Sequence, residues 1–561
     1  MKIQIRELLL TGALFCFLPT LAQKWSGLTL YSVSNANTAL LVDTNNVTVK
    51  TWSGLSGGTG YSSYLEPGGT LVRSVTVPNT TFMGGGACGR IQKVNYSGAI
   101  TWDFTYSSNT YYTHHDHCVL PNGNVLLISY ELKTNAELAA AGGTANLASM
   151  WPDKIIEVQP TGASTGSIVW EWHSWDHLVQ NVDPLKANYQ SSIVNHPELL
   201  NINYVPSKDW LHCNGLDYNP MLDQITLSSH FMNEFYVLDH STTSAQAASH
   251  TGGNAGKGGD FLYRWGNPAA YQAAGTKIFN VVHDAHWIPE GHPNAGRLVG
   301  FNNQGVSLTA SSIDQIMPPR NNYNYTITPG AGYQPSSYLQ RLSGFGYSSN
   351  EGNSEQYPNG NQLVCVAIAG KIYELNPTGT PIFTITTGSK TAQAHRYSTC
   401  YINNPAPVQP SISATGSDLV STSASTYQWY YNGNLMPAAT SQNFTPIGNG
   451  MYVVRTTDAN GCVYVYSAAY SYVNTNSIEE LVEESVSIYP NPSHDVVDLN
   501  FNYLNHSFVL VKVYDATGKY WLQFENRSRL DLSELPEGIY VLNITIDQHH
   551  PVNRKVLIVG D

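Results

Sequence analysis

Charge is scarce in this chain. Only 12% of its 561 residues are Asp, Glu, Lys or Arg, the formal net charge is -13, and no run of Lys or Arg occurs anywhere. A phosphate backbone needs a basic footprint, so nucleic acid is excluded as a partner. Long apolar runs are missing after the first twenty residues, which leaves no segment for stable membrane insertion. No pair of cysteines has CxxC spacing, so zinc ribbons and thioredoxin-like redox motifs are unsupported. Strong helix signals are also missing. What is abundant is Gly (47), Tyr (36) and Trp (12), a profile of short strands joined by tight turns.

The start, MKIQIRELLLTGALFCFLPTLAQKW, has Lys2 and Arg6, an apolar run from Leu8 to Leu18 and then Thr20-Leu21-Ala22. This is the pattern of an export signal with its small-x-small cleavage site, so residues 1–22 are set aside as a signal peptide. In an oxidising compartment the six cysteines beyond Cys16 allow one or two disulfides, with pairing open and a buried free thiol the alternative for each.

One phrase recurs along the chain: strand, Gly/Asn/Asp turn, then a strand that often ends in Trp. It reads ALLVDTNNVTVKTW (39–52), RIQKVNYSGAITW (90–102), KIIEVQPTGASTGSIVWEW (154–172), FYVLDHS through GGDFLYRW (235–265) and KIYELNPTGTPIFTI (371–385), with a fainter copy near 311–340. A second phrase, LPNGNVLLIS (120–129), MLDQITLSS (221–229) and YPNGNQLVCVA (357–367), keeps register with it, Asn-Gly suggesting tight hairpins with positive φ. About six antiparallel units, interrupted by inserts at 181–207 and 244–259, predict an all-β chain with a six-bladed β-propeller over 23–404. A two-sheet sandwich array is the alternative.

After Asn404 the texture changes. PAPVQP (405–410) reads as a hinge, and 405–473 resembles an immunoglobulin-like β-sandwich with Trp429 as core anchor and Tyr452 on a late strand. An acidic linker (474–484) leads to 485–561. With Tyr489-Pro490-Asn491-Pro492 and Gly538-Ile539-Tyr540, this tail is similar to the C-terminal sorting domain of the type IX secretion system, a small β-sandwich. The resemblance implies that secretion machinery is a partner and that the protein is exported to the cell surface or beyond.

Two strings share a frame, THHDHCVLP (113–121) and FNVVHDAHWIP (279–289). Blades repeat around an axis, so equal register brings His115 and His283 toward one channel mouth. Between them DWLHCNGLDYNPMLDQITLSSH (209–230) places His212 and Asn214 two residues apart on one strand face and ends on His230. The spacing in HHDH suits no standard zinc site. Asp116 and Asp284 are expected to be structural, holding the preceding histidine or the blade edge. His114, His117 and His286 are expected to be supporting or surface residues.

Residues 85–402 are similar to the arylsulfate sulfotransferase family, through HHDHCVLPNGNVL, DWLHCNGLDYNPMLDQITLSS, RWGNP with VVHDAHWIP, and YPNGNQLVCVAIAGKIYEL with HRY at 395–397. The resemblance implies transfer of a sulfuryl group from an aryl sulfate to a phenol through a sulfohistidine at His283. His212 and Asn214 would act as donors and proton carrier, and His115 would orient the substrate. No cofactor or metal is implied, and neither a nucleotide-binding Gly loop nor a Cys-x-Pro-x-Arg motif is present. At one position the chain departs: the family's Arg is His230. Sulfate anchoring then requires a protonated His230, or Arg264 or Arg396 reaching in, while Trp287 is a candidate wall for the aryl ring. The rivals are a non-catalytic propeller that binds polysaccharide or protein, and a metal-dependent hydrolase.

Overall fold

A computed structural model describes residues 23–474, 486–501, 508–546 and 552–560; residues 1–22, read as a signal peptide, and the segment read as an acidic linker, apart from Asn474, lie outside the described residues. β-branched and aromatic residues in short alternating runs, cut by glycine turns, build six four-stranded antiparallel sheets. From the innermost strand outward, blade 1 is Thr59–Glu66, Thr70–Thr76, Gly89–Val94 and Ile100–Thr105. Blade 2 is Tyr111–Val119, Val125–Glu131, Asp153–Gly162 and Thr165–His173. Blade 3 is Cys213–Asn219, Gln224–Ser229, Glu234–Asp239 and Tyr263–Trp265. Blade 4 is Val282–Trp287, Leu298–Ser307, Ala310–Ile316 and Gln340–Ser343. Blade 5 is Asn353–Gln356, Gln362–Val366, Lys371–Leu375 and Pro381–Thr386.

Blade 6 closes the ring with both ends of the domain. Its innermost strand, Ala394–Tyr397, pairs with Leu28–Tyr31, which is followed outward by Ala39–Val42 and Thr48–Trp52. Each innermost strand neighbours the next, and that of blade 6 returns to blade 1. The six repeats of the first phrase are the outer strands of the six blades. The Asn-Gly turns differ from expectation in detail. At 122–123 and 359–360 only the glycine takes positive φ. The asparagine side chain instead accepts the N–H two residues on, at 3.0 Å for Asn124 and 3.1 Å for Asn361.

Blade contacts explain the recurring aspartates. Asp116 Oδ2 accepts the Leu216 N–H (3.1 Å), Asp217 Oδ2 that of Trp287 (2.9 Å) and Asp284 Oδ2 that of Ser354 (2.8 Å). Asn353 does the same for Ala394 (2.9 Å). The innermost strands of blades 2 to 5 therefore each latch to the next through a side chain that satisfies a buried backbone donor. The innermost strands of blades 1 to 4 also carry β-bulges near their starts, and His115, His212 and Asp284 sit there at positive φ. The bulges re-aim consecutive residues, so His115 and Asp116 serve different neighbours.

One compact unit comprises residues up to 413 with 420–443 and 453–469; the other comprises 414–419, 444–452 and 470 onward. Within the first, a disulfide links Cys400 to Cys462, while Cys88, Cys118, Cys213 and Cys365 are free. Glu290, just past blade 4's innermost strand, pairs with Arg455 (2.9 Å) and accepts from Tyr430. The parts of the 405–473 segment that belong to this first unit, 420–443 and 453–469, are thus held to the propeller. Trp429 is fully buried, its indole N–H donating to the Ser441 carbonyl (2.8 Å). Within the second unit the C-terminal domain has two sheets, one of three strands (Val486–Tyr489, Val496–Phe501, Arg529–Asp531) and one of four (Tyr520–Glu525, Val509–Asp515, Gly538–Ile546, Val552–Ile558). Its core includes Val511, Val513, Leu530, Leu542 and Ile544. Tyr540 of the Gly-Ile-Tyr motif is buried and donates to the Pro536 carbonyl (2.8 Å). No helix among the described residues is long and apolar enough to cross a membrane.

Candidate active site

Four histidines gather where the innermost strands begin. The ring centroids of His115 and His212 lie 4.7 Å apart, those of His212 and His230 5.2 Å, and those of His230 and His283 5.5 Å. Tyr61 from blade 1 stands 4.8 Å from His115. His115, His212, Asn214 and His283 are buried, and His230 is partly so.

Fixed partners decide the tautomers. Asn303 donates its amide to the Ser348 and Glu351 carbonyls (3.0 and 2.8 Å), so its Oδ1 must face His283 Nδ1, 2.7 Å away. His283 therefore carries its proton on Nδ1. Its Nε2 keeps a lone pair, which the Glu351 N–H approaches at 3.2 Å. On His115 a relay acts: Asp153 Oδ1 accepts from His114 Nε2 (2.8 Å), and the Nδ1 atoms of His114 and His115 lie 2.8 Å apart. With both rings neutral, His115 donates from Nδ1 and presents a bare Nε2. His114 also stacks on Tyr130 with centroids 3.6 Å apart, so it supports His115 and is no surface residue. His212 Nδ1 bonds Asp209 Oδ2 at 2.7 Å, leaving Nε2 for proton exchange. Asn214 donates to the Val282 carbonyl (2.9 Å) and accepts from Ser228 Oγ (2.7 Å), which ties blade 3 to blade 4.

Electrostatically His115, His230 and His283 favour the neutral form. Burial, reinforced by the other histidines, holds His115 and His283 well below the ordinary imidazole range. Burial, with His212 adding, brings His230 down to about 4. A protonated His230 is thus not the replacement for the missing Arg. Nor do the two arginines reach in, contrary to the expectation from sequence. Arg264 lies on the outermost strand of blade 3, fully buried, with Glu234 and the Pro197 and Leu199 carbonyls taking its donors. Arg396 is spent on Glu374, Thr29 and the Trp25 carbonyl. A buried guanidinium needs such a set of acceptors, and forming it removes the charge from the channel. Trp287 is buried at the opposite end of its strand from His283, its N–H held by Asp217, so it offers the cluster no wall.

The nearer cation is one that sequence reasoning missed. Lys390 pairs with Glu351 Oε1 at 2.7 Å, and its charge helps lower His283. Also missed were Asp153, Asn303 and Glu351, brought in from other strands and loops without a local signal. Asp209, three residues before His212 in a quoted motif, was legible as an acid beside a histidine. The glycines of FMGGGACG cover the rings. A Cβ on Gly86 would fall 2.3 Å from the His115 ring, and one on Gly85 3.2 Å from His212 Cε1; only Gly86 also needs positive φ.

A six-bladed propeller with histidines from three blades meeting at one mouth defines the class. The family model of arylsulfotransferases (ASST) matches residues 73–404, more than half of the chain, and the protein belongs to that family. A secretion-system C-terminal sorting domain matches residues 487–559, which marks the chain for export to the cell surface or beyond. No curated protein matches. Solved structures resemble it only remotely. A protein of unknown function from Bacteroides caccae has 9% identity and a TM-score of 0.37, covering 66% of this chain and 99% of that one. AztD from Citrobacter koseri has 10% identity and a TM-score of 0.29, with 80% and 99% covered. Likeness at this level carries no argument about activity.

Proposed function

We propose that the protein transfers a sulfuryl group from an aryl sulfate to a phenol in two steps through His283. The observation that carries this reading is the forced tautomer of His283, a buried neutral imidazole with its lone pair on Nε2 beside His230 and Lys390. In the first step Nε2 gives up the Glu351 N–H and forms a bond to sulfur while the sulfur–oxygen bond to the aryl group breaks, its electron pair leaving on the phenolate oxygen. His212, protonated on Nε2, supplies the proton to that oxygen. In the second step a phenol oxygen attacks sulfur, gives its proton back to His212, and the sulfur–nitrogen bond breaks.

Asp209 orients His212 through Nδ1, so the same Nε2 serves both proton transfers. His115, with a bare Nε2, accepts from the incoming phenol as it enters, before that proton passes to His212. Asn214 acts with Ser228 to hold the blade 3 and blade 4 strands in register, and its donor role toward sulfate requires release from the Val282 carbonyl. The charge on the sulfuryl oxygens is met by Lys390 and by N–H donors. His230, neutral, supplies at most one hydrogen bond where the family has a forked cation.

The test is a chromogenic aryl sulfate with and without phenol, with and without chelator. Acceptor-dependent transfer with ping-pong kinetics that survives chelation supports the reading. Acceptor-independent, chelator-sensitive release would point to a hydrolase, and no release at all to a binding propeller.

A further inference from the structure

Away from the channel, between the outermost strand of blade 2 and the outer strands of blade 3, a second group of side chains converges. His177 Nδ1 and His250 Nδ1 lie 2.7 and 2.8 Å from the same oxygen, Asp260 Oδ1. All three donor atoms fall within 4.8 Å of one another. We propose that His177, His250 and Asp260 form a binding site for one divalent transition-metal ion of the zinc type, which fastens the 244–260 insert to the turn after blade 2.

The donor chemistry argues for it. His177 is fully buried, and its Nε2 lies 2.8 Å from the Ala247 carbonyl, which can only accept, so Nε2 carries a proton. Nδ1 is then the ring nitrogen turned toward Asp260 and His250, the position from which it can ligate an ion shared with them. The Nε2–H to carbonyl bond is the outer contact that orients a metal-ligating imidazole through its other nitrogen. Two imidazoles and one carboxylate suit zinc-like ions, and His250, more than half exposed, leaves the fourth position to water. Tetrahedral ligands at about 2.1 Å stand roughly 3.4 Å apart, so His177 Nδ1 and His250 Nδ1 each need to draw back from Asp260 Oδ1 by about 0.6 to 0.7 Å. The exposed His250 side chain can swing by that amount, while on the buried His177 side the Asp260 carboxylate has to turn.

The surroundings are built to hold this geometry. Trp172 stacks on His177 at 5.7 Å with planes 5° apart, and its indole N–H donates to the Gly259 carbonyl at 2.7 Å. A Cβ on Gly259 would lie 1.9 Å from the Ala247 carbonyl oxygen and 2.6 Å from His177 Nε2, so only glycine lets Asp260 reach this position. The loop between His250 and Asp260, TGGNAGKGG, has little apolar surface to bury, and a metal would supply the anchoring that a core cannot.

The test uses the full chain, stripped with chelator and dialysed against Zn²⁺, with Co²⁺ as the spectroscopic probe. The wild type is expected to retain one more equivalent of Zn²⁺ than His250→Ala and Asp260→Asn, and to show a Co²⁺ ligand-field band that both variants lose. Zn²⁺ should slow proteolytic cutting within residues 250–259 at least about tenfold in the wild type only. His250 is exposed, so its removal leaves the fold intact; equal Zn²⁺ retention and equal cutting rates in wild type and His250→Ala overturn the proposal. Sulfuryl transfer is read alongside and is expected to be the same with and without Zn²⁺.

Discussion

His283 and His286 lie three residues apart on one strand and carry opposite protonation. Burial and neighbouring histidines keep His283 neutral far below pH 6.5, whereas Asp284 and Asp217 override the burial of His286 and raise it to about 9. The difference lies in which residue the adjacent carboxylate serves. Asp284 turns away from His283, latches the Ser354 N–H of the next blade and faces His286. The recurring His-Asp pair is therefore two devices in one string: a histidine for the channel mouth and an aspartate for the ring of blades.

That comparison can be broken from either side. The largest effect belongs to His283→Asn, which removes the proposed nucleophile and is expected to lower kcat for aryl sulfate by roughly four to six orders of magnitude while the melting transition stays cooperative. Asp209→Asn should cost about two to four orders in kcat with KM little changed, because His212 loses the partner that orients its proton-carrying nitrogen. On the structural side, Asp116→Ala strips the Leu216 and His117 N–H groups and the Tyr64 hydroxyl of their acceptor. It is expected to lower stability by about 2 kcal/mol or more in denaturant titration.

The protonation contrast predicts a stability curve with two limbs. His286 gains its proton's partners on folding, so its contribution is complete below about pH 6.5 and is lost as pH rises through about 9. His283 does the reverse, since below about pH 6.5 the unfolded chain takes up a proton that the folded chain refuses. His286→Gln should flatten the alkaline limb of thermal melts, leaving the share of His240, which Asp223 and Glu157 also raise to about 9 against its burial. The smallest effect expected is a few-fold gain in turnover for His230→Arg, which restores a forked cation beside His283.

Much of this was legible before any coordinates. Strand-turn-strand repeats are local, so about six blades could be counted, and register within a repeat pointed His115 and His283 at one mouth, with His212 and His230 on the segment between them. What stayed hidden depends on ring closure. Arg264 and Arg396 read as free cations because Glu234 and Glu374 meet them only once neighbouring strands pair. Lys390 and Asn303 reach His283 across about 20 to 110 residues of sequence with no motif around them. Trp287 shares a strand with His283, yet strand length alone carries it to the far end. Cys400 and Cys462 had no spacing signal, since 62 residues and a change of module separate them.

The account stands most directly on the identity of the sulfuryl carrier. Reacting the full chain with an aryl sulfate in the absence of phenol, quenching, and mapping the modified peptide should place one sulfuryl group on the His283 side chain, with its release restored by added phenol. A modification on another residue, or steady product release with no protein-bound sulfuryl group at any time, would contradict it.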